Sequence, residues 1–589
     1  MFEIQRIVGP VLKGSERLFL EYTGKCPKQE NQNGQTVFDL EEGTKVSFGT
    51  YFNALFPRYA EEAYGTGTYR FECEAIGNGF LSLEASEGGK EKSNLYGKEI
   101  KQGKNRISIE FEVKKGGSGF IYPVVEAKKG GLRFSSGRFL TLNNKERNGR
   151  LAVCICTFKR EEYLIANLKA WAQDSEIVKR AVFYISDNGQ TLKPRDLPSG
   201  CEFRLFPNPN LGGSGGFARA FLEAKDEGKC DYYLFCDDDA IVHPESIFRT
   251  LAFFDSKKDP DAYLLSGAML DFRRPLEAVE VGAKFLIGDS RVKSFYLGAN
   301  LSDSVDLDSI SKAERNKNAN YSAFFFTGFA ERKGTDSDLY PPYFLRGDDI
   351  TFGLSRSRNG VEVLTYPGLA VWHEPFYSKT NSWVEHYSYR NSGIVHLLFH
   401  EGGPWGLIRV YFVRFYIFLY TFQYENLRAA LEGIHQILAG PEEFVKLDLQ
   451  QKHSELMGRY TPEEVWSGQK PRTSMISKIL GFLFLPVSIL SLNTISIPYL
   501  RRPINRSAGA LSILLDGAGA SVTLDYDERR EPVYIRKKDF FRSFRLALSA
   551  LLTIVEVLIR HRRLSESWKR EARHFSSETF WRSKLAPYR

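Results

Sequence analysis

Hydrophobic and polar positions follow two different patterns along this chain. Up to about residue 147, short segments such as 68–74 and 106–113 alternate polar with apolar residues between turns rich in Gly, Asn and Lys. From residue 151 the apolar runs become nearly continuous, and helical patterns separate them. Alternation with period two predicts half-buried strands, whereas continuous runs between helices predict a parallel sheet covered on both faces.

These patterns predict three domains. Residues 1–147 form an all-β sandwich or barrel, 148–395 an α/β domain with a doubly wound, mostly parallel sheet, and 396–589 a mainly helical domain. The aromatic segment 50–59 is expected to be a packing plug or an acceptor platform. The sequence of the first domain is compatible with a carbohydrate- or lipid-handling module, and a structural cap explains it at least as well.

Composition narrows the class of protein. A hydrophobic content of 42% and a charged content of 26% exclude a disordered chain. The seven cysteines show no metal-site spacing, which indicates a reducing compartment, and the first residues lack the features of a signal peptide. We therefore expect a cytoplasmic enzyme. Residues 529–589 carry a net charge of +10 against +8 for the whole chain, which suggests an anionic partner, either membrane or nucleic acid.

Acidic residues follow the predicted strand at 232–236. Asp237, Asp238 and Asp239 are consecutive and fall at the C-terminal end of that strand, where open α/β sheets form their ligand crevices. Three adjacent carboxylates repel one another, so a divalent cation with a bound phosphate would stabilise them. The alternative for such a triplet is a solvated acidic turn.

Two later motifs favour the metal interpretation. Asp348 and Asp349 open a predicted helix, and His373 follows a short apolar strand. Acidic pairs and a histidine at strand ends and helix starts are the ligand types that a divalent metal site requires.

A glycine-rich segment precedes another predicted helix. Asn210 is followed by Gly212 and Gly213 and then by two further glycines, so backbone amides can approach an anion at a helix N-terminus. The segment lacks the Lys-Ser/Thr ending of a P-loop and is not GxGxxG. Alone it is a weak indication of nucleotide binding.

Together these motifs resemble family-2 glycosyltransferases of the GT-A fold, and among them the mycobacterial-type polymerising galactofuranosyltransferases. Their order and spacing agree between residues 150 and 390, and the overall length and the β-rich N-terminal region are also similar. The motifs that carry the resemblance lie at 157–160, 187–189, 208–217, 237–239, 348–349 and 372–374.

The resemblance implies a role for each motif. Asp237, Asp239 and His373 would hold a divalent metal, Mn²⁺ or Mg²⁺, that bridges the diphosphate of a UDP-sugar. Asp349 corresponds to the general base and Asp348 assists it. The nucleotide-sugar contacts would be Arg160, Asp187, Asn210, Gly212 and Gly213, with Asp238 facing the sugar or ribose. The expected acceptor-binding residues are Phe324, Phe325, Trp372 and Glu374.

The chain departs from the family pattern where the acceptor should lie. Residues 323–326 read Ala-Phe-Phe-Phe where family members tend to carry tryptophans, and Gly347, preceded by Arg346, stands where a bulkier residue is expected. These changes leave metal and UDP binding intact and leave linkage, acceptor and processivity open.

The implied function is an inverting, metal-dependent glycosyltransferase. It would move a sugar, galactofuranose by resemblance, from a UDP donor to a hydroxyl of a lipid-linked or polysaccharide acceptor in cell-envelope glycan synthesis. The alternatives are another UDP-hexose donor, nucleotidyl transfer, which needs two metals, and a non-catalytic sugar-binding scaffold. No nucleic-acid partner is expected, and a homo-oligomer is left open.

The C-terminal third contains two apolar segments that are candidates for membrane contact. Residues 479–500 carry no charge over 22 positions, enough to cross a bilayer, but Pro486 and Pro498 interrupt them. Residues 546–559 are apolar and flanked by arginines, so they predict either a core helix or an interfacial helix. We expect peripheral association with the inner face of the cell membrane, because a lipid-linked acceptor must be reached from a soluble site.

Overall fold

The structure is a computed structural model. It describes residues 1–32, 34–86, 93–142, 148–312, 318–332, 334–374, 382–459, 464–469, 471, 475–491, 493–505, 509–527 and 530–588.

The N-terminal region is built on one nine-stranded antiparallel sheet. Two long strands organise it, because β6 pairs with β7, β8 and β9, and β9 also pairs with β1, β4 and β5. Its strands are β1 (Phe2–Arg6), β2 (Glu21–Thr23), β3 (Lys28–Gln32), β4 (Gln35–Leu40), β5 (Lys45–Ser47), β6 (Gly67–Ser86), β7 (Ser93–Ile100), β8 (Lys104–Val113) and β9 (Phe120–Thr141), and its helix is α1 (Pro57–Tyr64).

A second nine-stranded sheet forms the central α/β domain. Its strands are β10 (Leu151–Thr157), β11 (Ala181–Asp187), β12 (Glu202–Pro207), β13 (Tyr232–Asp237), β14 (Ile241–Val242), β15 (Tyr263–Asp271), β16 (Arg274–Glu280), β19 (Phe326–Ala330) and β20 (Glu362–His373). The hairpin β17 (Ala283–Leu286) and β18 (Arg291–Ser294) lies outside it. The helices are α2 (Glu161–Trp171), α3 (Ser175–Arg180), α4 (Gly212–Glu227), α5 (Pro244–Ser256), α6 (Ser304–Ser311) and α7 (Asp348–Arg358).

The central sheet is mixed, with a parallel half. Strands β12, β11, β10 and β13 lie side by side in parallel, whereas β19 runs antiparallel between β13 and β15. Strand β20 is parallel to β15. The buried apolar residues of β10 and β13 face helices on both sides, which explains their continuous hydrophobic pattern. The predicted α/β core with a β-rich N-terminal region and a helical C-terminal region is confirmed.

The N-terminal region packs tightly on the central domain. The guanidinium of Arg6 contacts Asp174 and Glu245, each at 2.8 Å, and all three side chains are buried. The aromatic segment 50–59 lies in the core between the two regions, and Phe52 stacks on Trp372 with ring centroids 5.5 Å apart. This segment is therefore a packing plug with no free surface for an acceptor.

The C-terminal region is mainly helical and includes one small sheet. Its helices are α8 (Ser382–Phe399), α9 (Trp405–Tyr420), α10 (Tyr424–Ala439), α11 (Pro441–Lys446), α12 (Leu449–Gly458), α13 (Met475–Leu490), α14 (Ala510–Gly517), α15 (Phe540–Phe575) and α16 (Glu578–Leu585), and its strands are β21 (Arg501–Asn505), β22 (Val522–Asp527) and β23 (Arg530–Lys537). Helix α8 crosses the predicted boundary at residue 395 and packs on α10 and α15. Within the described ranges, no helix has both the length and the apolar character needed to span a bilayer.

Candidate active site

A carboxylate–histidine cluster lies at one edge of the central sheet. Asp237 ends β13, Asp239 follows two residues later, and His373 ends β20. The His373 Nε2 atom lies 2.8 Å from Asp239 Oδ1 and 3.9 Å from Asp237 Oδ2. One ligand atom from each residue lies within 4.8 Å of the others, so the three predicted metal ligands come together.

This donor set suits a divalent cation. Two carboxylates and an imidazole are ligands that Mn²⁺ accepts, whereas Mg²⁺ prefers oxygen ligands. His373 is buried, while both carboxylates are partly open to solvent, so a cation could keep further positions for a ligand. Among the described residues this is the single His/Cys/Asp/Glu group compact enough to hold a metal ion.

Asp238 points away from this cluster. Its Oδ2 atom accepts a hydrogen bond from the backbone N–H of Phe158 at 3.3 Å, at the end of the neighbouring strand β10. Burial, with repulsion from Asp239 as a smaller cause, raises the pKa of Asp238 to about 7. Asp238 therefore bonds to the end of β10 and is not one of the three clustered residues.

Two further predicted donor contacts lie at this edge of the sheet. Arg160, immediately before α2, places its Nη1 atom 3.6 Å from Asp239 Oδ2. Asp187 ends β11, and its carboxylate oxygens accept hydrogen bonds from the N–H groups of Gly189 at 3.0 Å and Leu192 at 2.8 Å. In the parallel register Asp187 lies beside Thr157, which brings the 187–192 turn to the same edge as the acidic triplet.

The glycine segment forms the first turn of helix α4 and does not precede the helix as a loop. Asn210 Oδ1 accepts a hydrogen bond from the N–H of Gly212 at 3.1 Å. Gly212 has φ +68°, and a Cβ there would lie 2.0 Å from the carbonyl oxygen of Phe344, so only glycine fits. A Cβ at Gly216 would lie 2.1 Å from Cys156 Sγ, so this glycine lets α4 approach β10.

The glycine turn touches the second acidic motif. Ser214 Oγ donates a hydrogen bond to Asp348 Oδ2 at 2.9 Å, and a Cβ on Gly213 would lie 3.7 Å from that same oxygen. Sequence reasoning did not single out Ser214, because a serine among glycines is ordinary in a turn. Its contact joins the predicted nucleotide segment to Asp348, the neighbour of the predicted base.

Asp348 and Asp349 form the first turn of helix α7. Burial raises the pKa of Asp348, and burial followed by repulsion from Asp348 raises the pKa of Asp349 well above its ordinary range. The charge of Glu280 acts on Asp349 in the same direction. A carboxyl with a raised pKa is a stronger base once it has lost its proton, which is the property a general base needs.

Glu280 is a buried acid that sequence reasoning missed. Burial raises its pKa to about 7, and Ser294 Oγ donates a hydrogen bond to it at 2.9 Å. The sequence does not distinguish Glu280 from Glu277 on the same strand, although Glu277 is partly exposed and pairs with Arg274. The structure thus adds one carboxyl to the side of the site that holds Asp349.

Three of the four predicted acceptor residues are buried aromatics. Phe324 packs against Phe235 with centroids 4.6 Å apart, Phe325 is buried, and Trp372 donates a hydrogen bond from Nε1 to the carbonyl of Pro275. Their rings have no exposed face on which a sugar could stack. The fourth, Glu374, is partly exposed and accepts a hydrogen bond from Arg273 at 2.7 Å.

The departures at 346 and 347 have a backbone cause. Gly347 caps α7 with φ +89°, and a Cβ there would lie 3.1 Å from Asn391 Cβ. Arg346 is also left-handed, with φ +65°, and its side chain donates to Ser388. The Asn391 amide donates to the carbonyls of Leu345 and Arg346, so helix α8 holds the turn before Asp348.

Comparisons with known proteins show what this chain is similar to. Residues 148–283 match the family described as "Glycosyltransferase like family 2". Galactofuranosyltransferase GlfT2 from Mycolicibacterium smegmatis is 25% identical over 451 residues, which cover 72% of this chain and 69% of that protein. The protein of the same name from Mycobacterium tuberculosis is 24% identical over 457 residues, covering 72% and 70%.

The matches to solved structures are more distant. A mannosyltransferase from Pyrobaculum calidifontis, in complex with GDP-Man and Mn²⁺, has a TM-score of 0.29 at 10% identity, over 54% of this chain and 88% of that chain. Residues 1–349 of TarS from S. aureus have a TM-score of 0.29 at 13% identity, over 54% and 95%.

Proposed function

Because this chain carries a family-2 glycosyltransferase domain of the GT-A type, related to the galactofuranosyltransferases, we propose that it is an inverting, metal-dependent galactofuranosyltransferase. The observation that supports the proposal is the compact Asp237–Asp239–His373 cluster, together with the charge of Asp237 acting on the buried Asp349. The donor would be UDP-galactofuranose, and the acceptor a hydroxyl of a lipid-linked or polysaccharide glycan.

The chain's own residues divide the work between two sides of the site. Asp237, Asp239 and His373 would hold a cation that neutralises charge on the departing UDP. On the donor side, Arg160 and Asp238 are candidates to contact the diphosphate and the sugar or ribose, and Asp187, Asn210, Gly212 and Gly213 would shape the nucleotide pocket.

On the acceptor side, Asp349 would take the proton of the attacking hydroxyl. The new bond forms between that oxygen and the anomeric carbon while the bond from that carbon to the diphosphate breaks, so a single displacement inverts the configuration. Asp348, held by Ser214, fixes the first turn of α7 and raises the pKa of Asp349. Glu374 supplies a partly exposed polar contact for the acceptor, and Phe324, Phe325 and Trp372 act through packing beneath it.

Three observations bear on the alternatives. The described residues contain one compact metal-binding group, whereas nucleotidyl transfer of the two-metal type would need ligands for a second. A sugar-binding scaffold has no use for a buried carboxyl with a raised pKa beside a metal cluster. A transferase that uses a different UDP-hexose is the nearest alternative, because the residues proposed to hold the diphosphate would serve any UDP-sugar.

A donor panel tests this proposal. Purified protein with Mn²⁺ is offered UDP-galactofuranose, UDP-galactopyranose and UDP-glucose with the same acceptor, and released UDP and product linkage are measured. We expect UDP-galactofuranose to give the highest kcat/KM. Faster transfer from a pyranose donor would replace the galactofuranose assignment while keeping the transferase, and Asp349→Asn serves as the inactive control.

We further propose that helix α15 binds the inner face of the membrane through an apolar stripe. Phe541, Leu552 and Ile559 are 82%, 61% and 76% exposed and lie on one face of the helix. Exposed arginines at 545 and 562 flank that face, and they would attract anionic headgroups. Helix α13 adds a second exposed apolar surface that includes Phe482 and Leu483.

Vesicle flotation tests this surface. Full-length protein carrying Phe541→Ser, Leu552→Ser and Ile559→Ser should lose most of its binding to phosphatidylglycerol vesicles, and binding of the unaltered protein should weaken with salt. The control carries Leu297→Ser and Val305→Ser, which remove equally exposed apolar residues from the central domain. Equal flotation of the triple variant and the control would contradict the proposal.

A further inference from the structure

A groove with charged, polar and apolar walls crosses the N-terminal region, and none of the proposed active-site residues lines it. Its larger part has a volume of about 710 Å³, and it continues into a second cavity of about 330 Å³. The two share Arg17, Glu21 and Ser47 in their walls, so they form one elongated depression. These volumes fall in the range of ligand pockets.

The larger part combines hydrogen-bonding groups of both signs with an aromatic ring. Arg17 and Glu21 lie 3.6 Å apart and their side chains are well exposed, at 62% and 49%. Tyr22 is 45% exposed on strand β2, and Glu16 and Lys45 complete the charged wall. Carboxylates and cations together can bind the hydroxyls of a sugar as acceptors and donors, and the tyrosine ring offers an apolar face.

The smaller part belongs to both regions of the protein. Ser86, Phe120 and Tyr122 come from the N-terminal sheet, whereas Asn300, Ser302 and Asp303 come from the central domain. Asn300 Oδ1 accepts hydrogen bonds from the N–H and hydroxyl of Ser302, so this wall is held in place. A ligand here would therefore contact the catalytic domain directly.

Strand β16 connects the groove to the active site. Asn300 pairs with Glu277 on this strand, and Gly14, just before the groove, lies against Pro275. The same strand ends in Glu280, whose charge acts on Asp349, and Pro275 accepts the hydrogen bond of Trp372, which precedes His373. The smaller part of the groove is thus attached, through Asn300, to the strand that borders the reaction centre.

We infer that this groove binds an oligosaccharide segment of the acceptor, several sugar residues away from the reacting hydroxyl. The inference rests on the proposed glycosyltransferase function. Three acidic residues, Glu16, Glu21 and Asp303, face two basic ones, so a neutral polyol fits this groove better than a nucleotide or another anion. Holding a distant part of the glycan raises the local concentration of its reactive end.

Direct binding and kinetics test the groove together. The variant is Arg17→Ala with Tyr22→Ala, and the matched control is Arg106→Ala with Tyr96→Ala, which removes the same residue types from strands β8 and β7 outside the groove. The probes are a galactofuranose octasaccharide and the corresponding disaccharide. Calorimetry without donor measures affinity, and transfer from UDP-galactofuranose measures KM for each acceptor.

We expect the groove variant to bind the octasaccharide about tenfold more weakly and to raise its KM similarly, with the disaccharide KM unchanged. Equal octasaccharide affinity in variant and control, or no octasaccharide binding by the unaltered protein, would overturn the inference. If the unaltered protein transfers no sugar but the groove variant still loses octasaccharide binding, the proposed glycosyltransferase function is wrong. The proposal that the groove binds an oligosaccharide is then still supported.

Discussion

Glu280 provides a quantitative test of the electrostatics of the site. It ends strand β16 with its carboxyl group inside the protein, and burial raises its pKa from 4.5 to about 7. A carboxyl whose pKa is higher in the folded than in the unfolded chain takes up a proton on folding. Glu280 therefore leaves the free energy of unfolding unchanged well below the pKa of the unfolded chain. It lowers that free energy most above the pKa of the folded protein.

The size of this effect follows from the shift. For a rise from 4.5 to about 7, the free energy of unfolding lost through Glu280 grows by roughly 2.5 kcal/mol between about pH 5 and pH 8. Glu280→Gln removes the titrating group and keeps an oxygen that can accept the hydrogen bond from Ser294. The variant should therefore be more stable than the unaltered protein at pH 8, and the advantage should shrink toward pH 5.

Urea unfolding followed by tryptophan fluorescence at several pH values measures the difference. Glu277→Gln is the matched control, because it makes the same change on the same strand at a partly exposed carboxylate that pairs with Arg274. A partly exposed ion pair contributes at most about 1 kcal/mol, so the control should show no comparable pH dependence. Parallel pH profiles for Glu280→Gln and the unaltered protein would refute the reasoning.

Three other substitutions test the reacting groups. Asp349→Asn should lower kcat by roughly 10²–10⁴-fold with UDP affinity unchanged, because it removes only the base; retained turnover would exclude that role. His373→Ala should weaken Mn²⁺ binding at least about tenfold in a metal titration, and unaltered affinity would exclude it as a ligand. Asp348→Asn should move the acid limb of the kcat/KM profile to lower pH, since the charge of Asp348 helps to raise the pKa of Asp349; an unmoved limb would contradict this coupling.

The parallel half of the sheet could be predicted because the patterns that specify it are local in the sequence. Continuous apolar runs separated by helices imply strands whose C-terminal ends share one edge, and Asp187 and Asp237 stand at two such ends. Strand β10 lies between them, with Thr157 beside Asp187 and Cys156 beside Asp237. The doubly wound arrangement, in which β11 and β13 flank β10, therefore brings these two acids to the same edge of the sheet.

The antiparallel half was less accessible to sequence reasoning. His373 reaches Asp239 because β14, which follows Asp239, pairs with β20 and sets Ile241 opposite Trp372, a pairing with more than 120 residues between the partners. The burial of Phe324 and Trp372 was equally hidden, since an aromatic residue in a sugar platform and one in a core look alike in sequence. The packing of Phe235 against Phe324 and of Phe52 against Trp372 places both residues in the core.

The glycines of the segment 208–217 can serve anion binding or close packing, and the sequence does not distinguish the two. Its glycines suggested an anion-binding turn, yet two of them have a steric reason, because Phe344 approaches Gly212 and Cys156 approaches Gly216. Close packing and anion binding are compatible, since both need backbone without side chains at a helix N-terminus. Through Ser214 this turn is bonded to Asp348. A nucleotide bound at this turn, as proposed, would lie beside the hydrogen bond that connects the turn to the start of α7 and so to the proposed base.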